Sequence, residues 1–468
     1  MPYRSKVALV YLLGFFIDLV NMFIANIAYP EIGNALGATV GELAWIGNAY
    51  MLGLSIVIPL SVWLASALGE RRLMVLSLAL FVLASLAAGL AGSISGLIVF
   101  RFVQGLGGGL LIPVGQAMAY RHYAPGDRVR LTSLVMMVAL IVPAISPFVG
   151  GLIVQALSWR WIFFSSIPLA LLTLLLAWAW LERAVVAARI PPLDMPGLLL
   201  GAAAMTALLI ALTLLGESPG APAGFLWLGF AVLATGLYVR DALRKPHPVL
   251  DLRLTGSRLL RVSMLVYLFV PGVFMGVSMV AVLYLQGPLG LTAASTGALM
   301  LPWAGASCVA IFLTRRRFGE LGPKPLLLAG MACQGVGIVV LAMTSSGTGY
   351  AVLASAYALM GFGGSLCSST AQSTAMLDVE PARMGHASAL WNINRQLGFC
   401  LGVAILSMLL NLLIGADGLH AIASQAGSAV LASFRACFLI AATLTLLPVP
   451  FVLRIQTAQV LALVRKTS

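Results

Sequence analysis

Apolar runs of about 20 residues follow one another along this entire chain, each long enough to cross a hydrocarbon core at 1.5 Å per helical residue. Lipid offers backbone amides and carbonyls no partner, so only helices or a closed barrel can cross it. Barrel strands would alternate apolar and polar positions over about ten residues, and these runs do not. The chain therefore reads as an all-α integral membrane protein. Its composition agrees. Charged residues make up 9% of the 468, against roughly 25% in soluble domains.

The runs place spans at roughly 7–29, 43–66, 73–92, 96–120, 131–156, 161–181, 195–215, 224–239, 260–285, 294–313, 326–344, 348–376, 387–412 and 431–453. They are numbered 1 to 14. The opening Met1–Lys6 leads directly into a full-length span, so no cleavable leader is expected. An even number of spans puts both termini on one side. With that side cytoplasmic, 23 of the 27 Lys and Arg fall inside; Arg160 lies outside, and Arg101, Arg395 and Arg435 lie within or at the ends of spans. This is the positive-inside asymmetry. It accounts for the net charge of +13 without a nucleic-acid partner.

The five cysteines, Cys308, Cys333, Cys367, Cys400 and Cys437, have no CxxC or CxxH spacing and sit in apolar runs. They read as small packing residues, and no metal or cofactor is implied. The four histidines fall in expected loops.

Shifting the chain by 256 residues superimposes Gly105-Leu-Gly-Gly on Gly361-Phe-Gly-Gly, Leu110 on Leu366, Gln116 on Gln372, Ala119 on Ala375 and Pro125 on Pro381. A glycine-rich helix, a glutamine and a proline-containing loop thus occur twice. Two related halves imply a transporter with its site near the midplane between them. Pairing span 4 with span 12 divides the chain into a six-helix half at 1–190, a linker with two extra helices at 191–258, and a second six-helix half at 259–468.

Several ordered motifs then carry a family resemblance. Span 1 ends in Ile24-Ala-Asn-Ile-Ala-Tyr-Pro30. Span 2 reads Trp45-Ile-Gly-Asn-Ala-Tyr50, then Pro59-Leu-Ser-Val-Trp-Leu-Ala65. Span 4 carries Arg101-Phe-Val-Gln-Gly105-Leu-Gly-Gly-Gly109 and Pro113, and span 5 carries Pro143-Ala-Ile-Ser-Pro147-Phe-Val-Gly-Gly151. Trp159-Arg-Trp-Ile-Phe-Phe164 opens span 6, and Asn394-Arg-Gln-Leu-Gly398 lies in span 13. Over nearly its whole length the chain resembles the major facilitator superfamily, specifically its fourteen-helix drug:proton antiporters. That resemblance implies a multi-pass plasma-membrane exporter, in a bacterial inner membrane, with small molecules and protons as its partners. It departs from the family pattern in three places. Val62, Ser66 and Ala67 precede Gly69 where a glycine and an Asp-Arg pair are expected. Val142 and Ser146 replace glycines before the two prolines. Asn21 stands where span 1 usually has an acid, and Asp18 lies one turn earlier.

Asp18 is the acidic residue well inside a span; the other thirteen fall in loops or near span ends. A charge near the bilayer centre costs about 2.5–3.5 kcal/mol on insertion scales. Burial disfavours the anion, which suits a group that takes up a proton; a structural Asp is the alternative. Arg101 is expected to act on that proton, or else to snorkel to the outer interface. Candidate substrate residues are Asn21, Asn26, Trp45, Asn48, Gln104, Tyr284, Trp303, Asn392 and Arg395, since drug sites are apolar and aromatic with few polar groups. Helix–helix contacts and interfacial belts compete for these residues. Gly105, Gly107, Gly108 and Gly109 allow close helix approach, Pro143 and Pro147 should kink span 5, and Gly150 and Gly151 complete that motif.

The leading function is a proton-coupled antiporter exporting amphipathic molecules by alternating access. One acid against Arg101 and Arg395 favours neutral, monovalent or anionic substrates over dications. Alternatives are a specific metabolite uptake or exchange carrier, and a non-transporting sensor or scaffold of the same fold. An enzyme would need a nucleophile–base pair, paired carboxylates or a metal cluster at membrane depth, and none is apparent.

Overall fold

A computed structural model describes residues 1–122, 128–182, 193–218, 221–245, 248–345, 347–377, 384–414, 428–456 and 460–461. Among these there is no strand, and fourteen helical segments are long and apolar enough to cross a membrane. In order they are Tyr3–Leu36, Val40–Leu60, Glu70–Gly89, Ile94–Ala119, Met137–Ala156, Arg160–Trp180, Met195–Glu217, Pro222–Arg244, Arg258–Gln286, Ala293–Leu321, Pro323–Ala342, Tyr350–Ala375, Leu390–Ile414 and Ala429–Leu453.

Local sequence sets the ends. Span 1 runs beyond its expected end through a 3₁₀ turn at Ala25–Ala28 and a short helix, Tyr29–Leu36, which stops at left-handed Gly37 (φ 63°). Span 2 then begins three residues earlier than expected. Thr39 and Glu42 form a reciprocal capping box there, which satisfies two orphan donors of the first turn. Ser93 likewise accepts the Gly96 amide and starts span 4 at Ile94, so Arg101 lies two turns inside the helix rather than one. Span 5 belongs to one helix, Arg128–Ala156, that continues unbroken through Pro143 and Pro147.

Spans 4 and 12 share both bounds at the 256-residue offset, Ile94–Ala119 and Tyr350–Ala375. Their glycines make equivalent contacts. A Cβ on Gly105 would collide with the Tyr50 carbonyl of span 2, and one on Gly361 with the Trp303 carbonyl of span 10. Gly107 faces the Ser77–Phe81 backbone of span 3, as Gly363 faces the Gly330–Gln334 backbone of span 11. Spans 9 and 13 cross as closely, with Gly272 against the Gly398 carbonyl and Gly402 against that of Gly272.

Spans 7 and 8 pack on each other and lie at the periphery: the best window of span 8 is 17% buried, against 78% for span 9. Span 7 rests on spans 2 and 13. Trp45 Nε1 donates to Thr213 Oγ1 (2.7 Å), Thr39 Oγ1 to Glu217 Oε1 (2.9 Å), and Gly216 abuts the Met408 backbone. Asp194 caps span 7 through the Gly197 amide and binds Lys245 Nζ at 2.5 Å, while Lys245 also reaches Asp241 (2.6 Å). One carboxylate–ammonium group thus joins the start of span 7 to the end of span 8.

Candidate functional site: a buried cluster on spans 1, 2 and 4

Asp18 is 1% exposed and accepts a hydrogen bond from Tyr50 Oη at 2.5 Å. The geometry is possible because Gly108 stands opposite. A Cβ there would lie 2.8 Å from Tyr50 Oη and 3.0 Å from Asp18 Oδ1. The Arg101 guanidinium sits over the Tyr50 ring, 4.3 Å from its centroid, where the negative ring face attracts a cation. Arg101 is also 1% exposed, so its guanidinium does not snorkel. Its Nε donates to the Ile46 carbonyl (3.1 Å), Nη1 to Gln104 Oε1 (2.6 Å) and Nη2 to the Asn21 carbonyl (3.2 Å).

Gln104 extends the network. Its amide nitrogen donates to Asn21 Oδ1 (3.0 Å) and Ser85 Oγ (2.7 Å); Asn21 and Ser85 in turn donate to the Ile17 and Phe81 carbonyls. A buried cation is thus held by neutral acceptors, with its carboxylate counterpart reached through one phenol. Four spans contribute, and the polar groups named are paired, the condition under which a buried polar network is stable.

The repeat gives this arrangement a counterpart. Trp303 takes the place of Tyr50 against the glycine of the partner helix. At the 256-residue offset Tyr357 corresponds to Arg101 and Phe274 to Asp18. Trp303 stacks on Phe274 with centroids 5.4 Å apart and planes at 14°, and Tyr357 is 2% exposed. The positions of Asp18 and Arg101 in the first half are thus taken by aromatic residues in the second.

Of the expected site residues, Asp18, Asn21, Arg101 and Gln104 are brought together. Asn48 is buried on span 2 with Oδ1 unpartnered, and Trp303 Nε1 and Arg395 Nε are unpartnered too. Arg395, on span 13, lies within electrostatic reach of Asp18. Asn392 is half-buried one turn before it and has a partner of its own. Asn26 borders a narrow crevice with Pro147, Ser278 and Tyr357. Two aromatic residues lie elsewhere. Trp45 is bonded to span 7, and Tyr284 donates to the Thr344 carbonyl (2.6 Å) inside a cluster with Phe434 and Phe438. Tyr50, Ser85 and Gly108 join the site without having been expected there.

The glycines and prolines serve helix crossings. Gly109 meets Leu54 and Val57 of span 2, and Gly150 meets Ile24 and Ile27 of span 1. Gly151 faces the Ala293 carbonyl of span 10, while Gly297 of span 10 faces the Pro147 carbonyl. This reciprocal contact joins the halves at the end away from the termini, where Gln286 Nε2 also donates to the Ile27 carbonyl (3.0 Å). Among the described residues no group of three or more His, Cys, Asp or Glu could hold a metal ion.

Comparison with known proteins agrees with the fold and extends it. The chain is 29% identical over 401 residues to the multidrug resistance protein B homolog of Mycobacterium tuberculosis, covering 84% of this chain and 73% of that one. It is 29% identical over 412 residues to the drug efflux pump JefA of the same species, covering 86% and 80%. Among solved structures, a bacterial homologue of the human lysosomal transporter Spinster superposes with a TM-score of 0.68 at 16% identity, over 97% of this chain and 98% of that one. A D-xylose–proton symporter superposes at 0.64 and 14% identity, over 96% and 99%. The sequence profile of the Major Facilitator Superfamily matches residues 11–403, and the chain is a multi-pass membrane transporter belonging to that superfamily.

Proposed function

We propose that this transporter exports amphipathic small molecules in exchange for protons, by alternating access between halves at 1–190 and 259–468. The observation that carries the reading is the Asp18–Tyr50–Arg101 cluster. It is a carboxyl buried at membrane depth, hydrogen-bonded by a phenol, beside a cation that no carboxylate among the described residues neutralises directly. Burial disfavours the carboxylate anion while a nearby cation favours it. A change in the position or hydration of either group therefore binds or releases a proton. In this reading Asp18 is the proton carrier, Arg101 and Tyr50 set its affinity, and Asn21 and Gln104 hold Arg101.

Export of drug-like compounds is supported by the names of the two Mycobacterium tuberculosis relatives and by the Phe274–Trp303 stack in the second half. Substrate contacts fall to Trp303, Asn48 and Arg395, each with a buried polar atom that has no hydrogen-bond partner, and to half-buried Asn392 on the same helix as Arg395. Arg395 and Arg101 leave the site without a negative field, which disfavours dications. The membrane is a bacterial inner membrane, with both termini cytoplasmic by the distribution of Lys and Arg.

The test is proton movement in inside-out vesicles, followed with a fluorescent pH probe as candidate compounds are added. Substrate-dependent proton release that disappears in Asp18→Asn is the expected result. Full release in that variant would remove Asp18 from the proton path. A proton response confined to one metabolite would make the protein a specific carrier.

A further inference from the structure

The linker helices help line a cavity separate from the cluster. It has a volume of about 400 Å³ and lies between spans 2, 7, 8, 9 and 13 and the 249–255 segment. That is within the range of small-ligand pockets. Ile56, Met205, Leu208, Leu397 and Leu401 make an apolar wall. Its polar side chains are few, and one of them, Asn394, already donates to the Met264 carbonyl (3.1 Å). Such a lining suits a hydrocarbon chain and has little to offer a polar solute.

The end nearest the termini is different. Leu252 and Thr255 line it, and between positions 240 and 261 stand six cations, Arg240, Arg244, Lys245, Arg253, Arg258 and Arg261, against Asp241 and Asp251. Lys245 is neutralised by Asp194 and Asp241. Arg253 and Arg261 are exposed and donate to carbonyls, Arg253 to Leu243 and Lys245, Arg261 to Thr255. No carboxylate among the described residues pairs with either. An apolar chamber in the membrane-spanning layer, with Arg253 next in sequence to its lining residue Leu252 and Arg261 bonded to the carbonyl of its lining residue Thr255, matches an acyl chain bearing an anionic head.

We infer that this cavity holds one acyl chain of an anionic phospholipid from the leaflet on the side of the termini, with its headgroup on Arg253 and Arg261. The bilayer supplies that ligand where the cavity lies, and the volume accommodates one chain while the second stays among the bulk lipids. Spans 2 and 13 belong to opposite halves and both line the cavity, so the bound chain sits at their seam.

The full-length protein would be reconstituted with phosphatidylglycerol carrying a photoreactive diazirine on one chain, irradiated, and mapped by mass spectrometry. Adducts on Met205, Tyr238 and Leu397 are expected. Labelling by phosphatidylcholine with the same chains should be weaker, and each of Arg253→Gln and Arg261→Gln should lower phosphatidylglycerol labelling about fivefold. Gly201→Leu, whose Cβ would meet only the Tyr238 ring at ordinary contact distance, should abolish cavity adducts; Leu401→Phe is the second filling variant. Adducts confined to lipid-facing residues such as Leu226 and Phe230, or equal labelling by both headgroups, would overturn the proposal. So would cavity labelling by a photoreactive free fatty acid where the phospholipid gives none.

Discussion

Gln104 accepts from Arg101 and donates to both Asn21 and Ser85, so Gln104→Leu strands three buried polar groups at once. Each stranded group costs roughly 1–3 kcal/mol, and the variant should show a clearly lowered unfolding midpoint in detergent. Gly108→Ala makes a different prediction. Its methyl would press on the Tyr50 hydroxyl and the Asp18 carboxylate, so coupled transport in vesicles should fall about tenfold, or ~1.4 kcal/mol of barrier, with expression retained. Asp18 and Arg101 were legible from sequence because a charge in an apolar run is anomalous by itself. Tyr50 was not, since an aromatic residue in a span is ordinary and its partner lies 32 positions away across a helix crossing. The same ambiguity covers Trp45 and Tyr284. An apolar sequence does not say whether an aromatic ring faces a cavity or, as here, another helix.

Elements were more legible than their contacts. Hydropathy gave fourteen spans in the right order, because length and apolar continuity are properties of one segment alone. Ends shifted by a few residues where a cap or a 3₁₀ turn decided them, as at Thr39 and Ala25–Ala28. The glycine motifs announced close packing without naming the partner, and the Gly151–Gly297 crossing of spans 5 and 10 became visible only in three dimensions. That crossing holds the halves together at one end. Gly151→Leu should force it apart and lengthen the distance between spin labels at Leu157 and Tyr350, both exposed near that end. An unchanged distance distribution would show that the crossing does not hold this state.

At the scale of the molecule, the repeat was visible as a 256-residue offset, but the seating of the linker helices was not, since apolar helices look alike to lipid and to protein. The Asp194–Lys245–Asp241 group fastens that pair. Burial pushes the Asp194 carboxyl up, but the Lys245 ammonium and the Gly197 and Val249 amides outweigh it and hold it below the ordinary 3.8. The hydrogen bonds it donates to Asp194 and Asp241 hold Lys245 above 10.5. A depressed acid stabilises above its unfolded value and loses that contribution as pH falls through the folded one; a raised base stabilises below its unfolded value and loses it as pH rises. The fastening should therefore be constant between about pH 5 and 9. Over that range Asp194→Asn should lower the unfolding midpoint by the same amount at every pH, as a melting series in detergent would show.

The glycine crossings also shape which mutations this chain can absorb. Alanine is more apolar than glycine, so a drift from one to the other looks harmless, even favourable, in a membrane segment. At Gly229 and Gly236 of span 8, where a Cβ would meet nothing within 4 Å, such drift is free. At Gly105, Gly272, Gly361 and Gly402 a single methyl would land on the backbone of a neighbouring helix. Mutational tolerance along the chain should then follow the distance between helix axes rather than hydropathy, with the smallest substitutions among the most damaging.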